Sequence, residues 1–127
     1  MGIIITRDED QDLTIHDVTG SVSEEEMYEA LENFYKREPT ALLLWDMSQT
    51  DVSHVTPEIL QKFIEKSTEL GMRCQGNRTA VFAPEDLQYG LARMSGAFAE
   101  MESAPYSFRA FRSREEALQW LKSDDLS

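Results

Sequence analysis

Short apolar runs alternate along the chain with longer segments whose apolar residues recur every three or four positions. Residues 3–6 and 13–18 flank a very polar turn, Asp8-Glu9-Asp10-Gln11-Asp12. The second run alternates, with Leu13 and Ile15 on one face and Thr14 and His16 on the other, the period of a strand. Two short strands around a polar turn predict an antiparallel hairpin at a sheet edge. On that reading His16 faces solvent. Gly20 then turns the chain.

A helix is predicted next. Ser23-Glu24-Glu25-Glu26 has the form of a capping box, in which Ser23 accepts from the Glu26 amide and Glu26 reaches back. Three glutamates also suit the positive end of the helix dipole. Met27, Leu31 and Phe34 form the apolar stripe, Lys36 and Arg37 fall in the last turn, and Pro39 closes the segment.

The stretch from 41 to 57 organises the rest. The apolar run 41–45 lacks alternation, as expected of a parallel strand covered on both faces. It stops at Asp46, and a polar loop leads to Thr56-Pro57, a good N-cap and first helical residue. Ile59, Leu60, Phe63, Ile64 and Leu70 then repeat at helical spacing, and Gly71 supplies a stop. A second buried run, 79–83, ends at Pro84, which opens another helix. That helix carries a large apolar stripe, Leu87, Leu91, Met94, Phe98 and Met101. Beside it runs a stripe of small residues, Ala92, Gly96, Ala99 and Ser103, suited to close packing, a dimer contact or a ligand groove. Gly90 and Gly96 each cost about 1 kcal/mol relative to alanine in a helix interior, which implies a compensating contact. A last strand, 106–111, precedes a second capping box, Ser113-Arg114-Glu115-Glu116, and a short helix with Ala117, Trp120 and Leu121 inward.

The order is β-β-α-β-α-β-α-β-α. It predicts an α/β fold: a mixed five-stranded sheet with an N-terminal antiparallel hairpin, four packing helices, and right-handed crossovers between the later strands. One domain over 1–122 is expected, followed by a frayed tail at 123–127. The carboxyl ends of three strands then converge, where open α/β sheets place their ligands. Those ends bring Asp46, Met47 and Ser48 near Pro84, Glu85, Asp86, Arg112 and Ser113.

Composition narrows the partners. The 127 residues carry a formal net charge of −12, eight of those units within residues 1–40 (eleven acids, three bases). This argues against nucleic acid, whose affinity rests on Lys and Arg at phosphates, and suits a solvated acidic face or a surface for a basic partner. The single cysteine, Cys74, cannot form an internal disulfide and fits a reducing cytoplasm. Residues 1–5 are too short for a signal peptide or membrane span, so a cytoplasmic protein without a transmembrane segment is expected. Neither a Gly-rich phosphate loop, zinc-type Cys/His spacing nor a Gly-x-Ser-x-Gly elbow occurs, and no cofactor or metal is implied.

Several stretches resemble one family. Leu43-Leu44-Trp45-Asp46-Met47-Ser48, Arg78-Thr79-Ala80-Val81-Phe82-Ala83-Pro84, Tyr89-Gly90-Leu91-Ala92-Arg93-Met94 and the closing stretch 108–121 occur in the order and spacing of the SpoIIAA-like family. That family is a branch near the STAS domains of anti-sigma factor antagonists and the CRAL-TRIO lipid-transfer domains. The resemblance implies a small α/β domain that binds something and catalyses nothing known. It also implies a serine phosphorylation switch at the start of the helix after the central strand. The matching position here is Val55, which has no hydroxyl, and Thr56 one place later reads as an N-cap. The lipid-transfer branch builds its cavity with helices additional to those this chain includes.

Seven residues make the candidate ligand- or partner-binding set: Asp46, Ser48, Ser53, His54, Thr56, Tyr89 and Arg93. Asp46, ending a buried strand, either fixes its own loop through backbone N–H groups or accepts a hydrogen bond from a ligand. Paired with Glu85 or Asp86 it could also imitate an acid–base carboxylate pair. Tyr89 and Arg93 lie four residues apart on one helix face. They are either a surface pair, with Arg93 answering an acid such as Glu85 or Asp86, or a clamp for an anion in the crevice. The expected function is a non-enzymatic STAS-like regulatory or protein-interaction module, possible as a homodimer. The alternative is a carrier or sensor of a small apolar or amphipathic, lipid-like ligand, held in a cavity near Tyr89, Met94 and Phe98.

Overall fold

The structure, a computed structural model, describes residues 2–37, 39–72 and 76–123. Cys74 and most of the expected frayed tail, 124–127, lie outside that set. The element order is β1 (Gly2–Asp8), β2 (Leu13–Gly20), α1 (Glu24–Lys36), β3 (Leu42–Thr50), α2 (Pro57–Gly71), β4 (Arg78–Phe82), α3 (Asp86–Met101), β5 (Ser107–Phe111) and α4 (Arg114–Lys122). The five strands lie side by side in chain order. β1 pairs antiparallel with β2, and β2 to β5 run parallel. This is the predicted mixed sheet.

Local chemistry places the helices. The Ser23 hydroxyl accepts from the Glu26 amide at 3.1 Å while Glu26 accepts from the Ser23 amide at 3.1 Å, closing the capping box. Thr56 caps α2 by accepting from the Ile59 amide at 3.2 Å, and Ser113 caps α4 by accepting from Glu116 at 3.3 Å. Helices α1, α2 and α3 cover one sheet face, where Ala30, Leu31, Phe34, Phe63 and Ala92 meet Val18, Leu43, Trp45 and Val81. α4 covers the other, joining Ala117 and Leu121 to Leu13, Leu44, Ala80 and Phe111. Buried Arg78 ties α4 down by donating to the carbonyls of Trp120 (2.9 Å) and Ser123 (2.6 Å) at the helix end.

Three expectations need correction. β3 does not stop at Asp46. Its polar half pairs with β2 as far as Gly20 and Thr50, after a register shift between Asp17 and Thr19. Backbone pairing within a sheet carries Ser48 and Gln49, which as side chains signal a loop. His16 is completely buried and does not face solvent, because α1 lies over that face of β2. α2 does end at Gly71, but not through a left-handed conformation of that residue. Its backbone is helical, and an added Cβ would lie 3.3 Å from Pro105 and 3.4 Å from the Tyr35 hydroxyl.

On α3 the stripe of small residues packs close, one of its expected roles, while the large stripe is only partly covered. Gln88, Ala92, Ser95 and Ala99 are the buried face of the helix, whereas Leu87 and Met101 are 56% and 74% exposed. Small side chains let the helix lie close to the sheet. Ser103 falls beyond its end, at φ 52°. A Cβ on Gly96 would come within 3.1 Å of the Phe108 ring, so the compensating contact exists there; one on Gly90 meets nothing within 4 Å. Gly90→Ala is therefore expected to stabilise by about 0.5–1 kcal/mol in urea denaturation. Gly96→Ala is expected to gain nothing or lose stability. Equal gains for both would contradict the Phe108 contact.

Candidate functional site

Asp46 sits on the α4 face of the sheet, opposite Asp17 on β2. It is only 8% exposed. A carboxylate this buried needs partners, and it has three. Asp46 Oδ1 accepts from the Ser48 amide at 3.0 Å and the Ser48 hydroxyl at 2.6 Å. Arg114 Nη1 donates to Asp46 Oδ2 and, at 3.3 Å, to Asp17 Oδ1. Arg114 is the first residue of α4, where a cation opposes the helix dipole. Its position is explained by the two carboxylates it joins. Asp46 thus fixes the end of its own strand and, through Arg114, the start of α4.

Ser53, His54 and Thr56 lie on the opposite side of the sheet end, in the turn that leads into α2, and all three are exposed. The turn is braced from within. Asp51 Oδ1 accepts from the Ser53 amide at 3.0 Å, and hydrogen bonds from Ser53 hold the Asp51 carboxyl below its ordinary pKa. The Val55 amide donates to the Val52 carbonyl at 3.0 Å, and His54 Nε2 lies 3.2 Å from the Val22 carbonyl, donating in that tautomer. The seven sequence candidates therefore do not form one constellation. Asp46 and Ser48 are bonded together on one face; Ser53, His54 and Thr56 share the turn on the other.

Tyr89 and Arg93 are not joined. Tyr89 is half-buried and stacks on the guanidinium of Arg112, 4.4 Å from ring centre to Cζ, while Arg93 is exposed. Arg112 also donates to Asp86 Oδ1 at 2.9 Å and to the Pro84 carbonyl at 3.1 Å. It is Arg112 that answers Asp86. The crevice beyond the ends of β3 and β4 is open to solvent, lined by Thr50, Asp51, Val52 and residues 84–88, and does not include Asp46. Gln88 spans its floor, donating to the Thr50 carbonyl at 3.0 Å and accepting from the Glu85 amide at 3.3 Å.

Behind the turn lies a cavity of about 160 Å³, between the sheet and α1, α2 and α3. It is lined mainly by apolar side chains, among them Met27, Trp45, Phe63 and Phe108. α3 contributes Gln88, Leu91, Ala92 and Ser95. Tyr89, Met94 and Phe98, expected to line a cavity, are not part of this one.

Sequence reasoning missed Arg114, Asp17 and Gln88; it brought Arg112 to the strand ends beside Asp86 but gave it no role. A weak signal existed for the first: an arginine opening a helix whose next two residues are glutamates is out of place for the helix itself. Among the described residues no group of three His, Cys, Asp or Glu side chains is placed to hold a metal ion. Nor is any helix long and apolar enough to cross a membrane.

An open sheet of this strand order, with three helices on one face and one on the other, defines an α/β fold of the STAS kind. It is similar to the solved structure of the anti-sigma factor antagonist SpoIIAA in its unphosphorylated form, with a TM-score of 0.56 and 9% identity over 96% of this chain and 99% of that one. At that identity the likeness is one of fold, the fold that the sequence resemblance implied. No protein-family model and no curated protein matches the sequence.

Proposed function

We propose that the chain is a non-enzymatic, cytoplasmic regulatory module that binds a protein partner through the turn 51–56 and the adjoining surface of α2. The observation that carries this reading is the likeness, over 96% of the chain, to a protein whose name describes an antagonist of an anti-sigma factor. The turn supports it in detail. Ser53, His54 and Thr56 are presented at the surface on a backbone held by Asp51 and Val52, with the His54 ring held at the Val22 carbonyl, so little order is lost on binding. Asp46 and Ser48 serve as the brace of the neighbouring strand end. Two of the three carboxylates considered for acid–base work are engaged by arginines, Asp46 by Arg114 and Asp86 by Arg112, which favours binding over catalysis.

A second reading, carriage or sensing of a small apolar ligand, is favoured by the cavity behind the turn. A native mass spectrum of the gently purified protein separates the two. An apo mass, as monomer or homodimer, is the result expected of the interaction module. A mass excess that disappears on denaturation supports the carrier instead.

A further inference from the structure

We propose that the cavity between the sheet and α1–α3 is a binding site for a compact, uncharged apolar molecule, a single aromatic ring or a short alkyl chain. This rests on the second reading above and names its ligand class. Protein interiors hold few voids larger than a water molecule; this one measures about 160 Å³, close to the roughly 150 Å³ that suffices to take up benzene in an apolar core. Trp45, Phe63 and Phe108 supply flat apolar walls, and Met27 and Met47 supply adaptable ones.

Three polar side chains of the wall are already bonded within the protein. Ser67 is bonded to the Tyr106 hydroxyl and to the Ile64 carbonyl at 2.9 Å, Ser95 to the Leu91 carbonyl at 3.1 Å, and Gln88 to Thr50 at 3.0 Å. A polar head placed inside would lose water against a wall that is mainly apolar. The lining residues exposed to solvent, Ser23, Glu24 and His54, lie at the N-terminal ends of α1 and α2, which makes that end the opening. Glu24 stands there beside Glu25 and Glu26. Just inside, Tyr28 of α1 faces Phe63 of α2 with ring centres 6.0 Å apart. Burial, and then the charges of Glu24 and Glu65, push the Tyr28 hydroxyl pKa up. The same negative field disfavours carboxylates and phosphates.

Trp45 lines the cavity, whereas Trp120 lies on the other side of the sheet against Phe111. In Trp120→Phe protein the emission therefore reports the cavity wall. Bromobenzene, a heavy-atom quencher, is expected to quench it saturably, with 4-bromobenzoate binding at least about tenfold more weakly. Filling the cavity by Ala92→Leu, or independently by Ser95→Leu, should weaken bromobenzene at least about tenfold, with the fold checked by circular dichroism. Purely collisional quenching by bromobenzene, or saturable quenching that survives both fillings, would overturn the site. Equal binding of 4-bromobenzoate would overturn the assigned ligand class. Saturable quenching together with a clean native mass would keep the site and remove the carriage reading.

Discussion

Acidification from pH 7 to pH 4 is expected to remove about 3 kcal/mol of stability through His16 alone, and His16→Phe to abolish that loss. The imidazole is completely buried, 4.2 Å from the Trp45 ring centre and 6.2 Å from that of Phe34. Neither ring nitrogen has a hydrogen-bond partner among the described residues. Burial lowers its pKa from 6.5 to about 4. The sign follows from the neutral form being the one that folds. Above pH 6.5 both states are neutral and His16 contributes no pH dependence. Between pH 6.5 and pH 4 the unfolded chain takes up a proton that the native state refuses, so stability falls with pH. Below pH 4 the penalty is complete. His16→Phe keeps an aromatic ring against Trp45 and removes two unpaired nitrogens, so its stability at pH 7 should equal or exceed the parent's. Urea denaturation of both proteins at pH 7, 5.5 and 4.5 measures this. Parallel pH dependences would contradict it.

Arg114→Ala is expected to destabilise the protein at pH 7 by about 2 kcal/mol, a value below that of a fully buried pair because Arg114 and Asp17 are partly solvated. The change leaves Asp46, which is 8% exposed, without its cation and facing Asp17 across the β2–β3 pairing. It also frees the start of α4. Asp46→Asn in the same background should recover part of the loss, because an uncharged side chain no longer needs the guanidinium. A double-mutant cycle gives the coupling directly, expected near 1–2 kcal/mol. Losses that simply add would show that the cluster does not act as a unit.

Much of the fold was legible because its signals are local. Ser23 with Glu26, Thr56 with Pro57, and Pro84 each mark a helix start with residues three or fewer positions apart. The non-alternating runs around Leu43 and Val81 identify strands covered on both faces. What escaped depends on distant partners. β3 continues past Asp46 because β2 lies beside it, and no residue between 46 and 50 announces that. His16 reads as solvent-facing because alternation along an edge-hairpin strand implies one exposed face, whereas α1 covers that face. Large side chains on α3 suggested a buried stripe, but the distance between helix and sheet is set by Ala92, Ser95 and Ala99. Arg114 reaches Asp46 across 68 positions and Asp17 across 97, a separation at which sequence spacing carries no information. For the same reason the candidates read as lining one crevice, while the structure divides Asp46 and Ser48 from Ser53, His54 and Thr56 between the two faces of the sheet.

The functional proposal is exposed most directly at Ser53, whose side chain lies at the surface of the turn and supports none of the helix caps. Affinity capture with the tagged full chain should be run in parallel for the parent protein and Ser53→Arg, after thermal melts establish that the two are equally stable. The account predicts a protein retained in near-stoichiometric amount by the parent and lost from the variant. Retention of the same proteins in the same amounts by both would contradict the assignment of the 51–56 turn as the partner-binding surface.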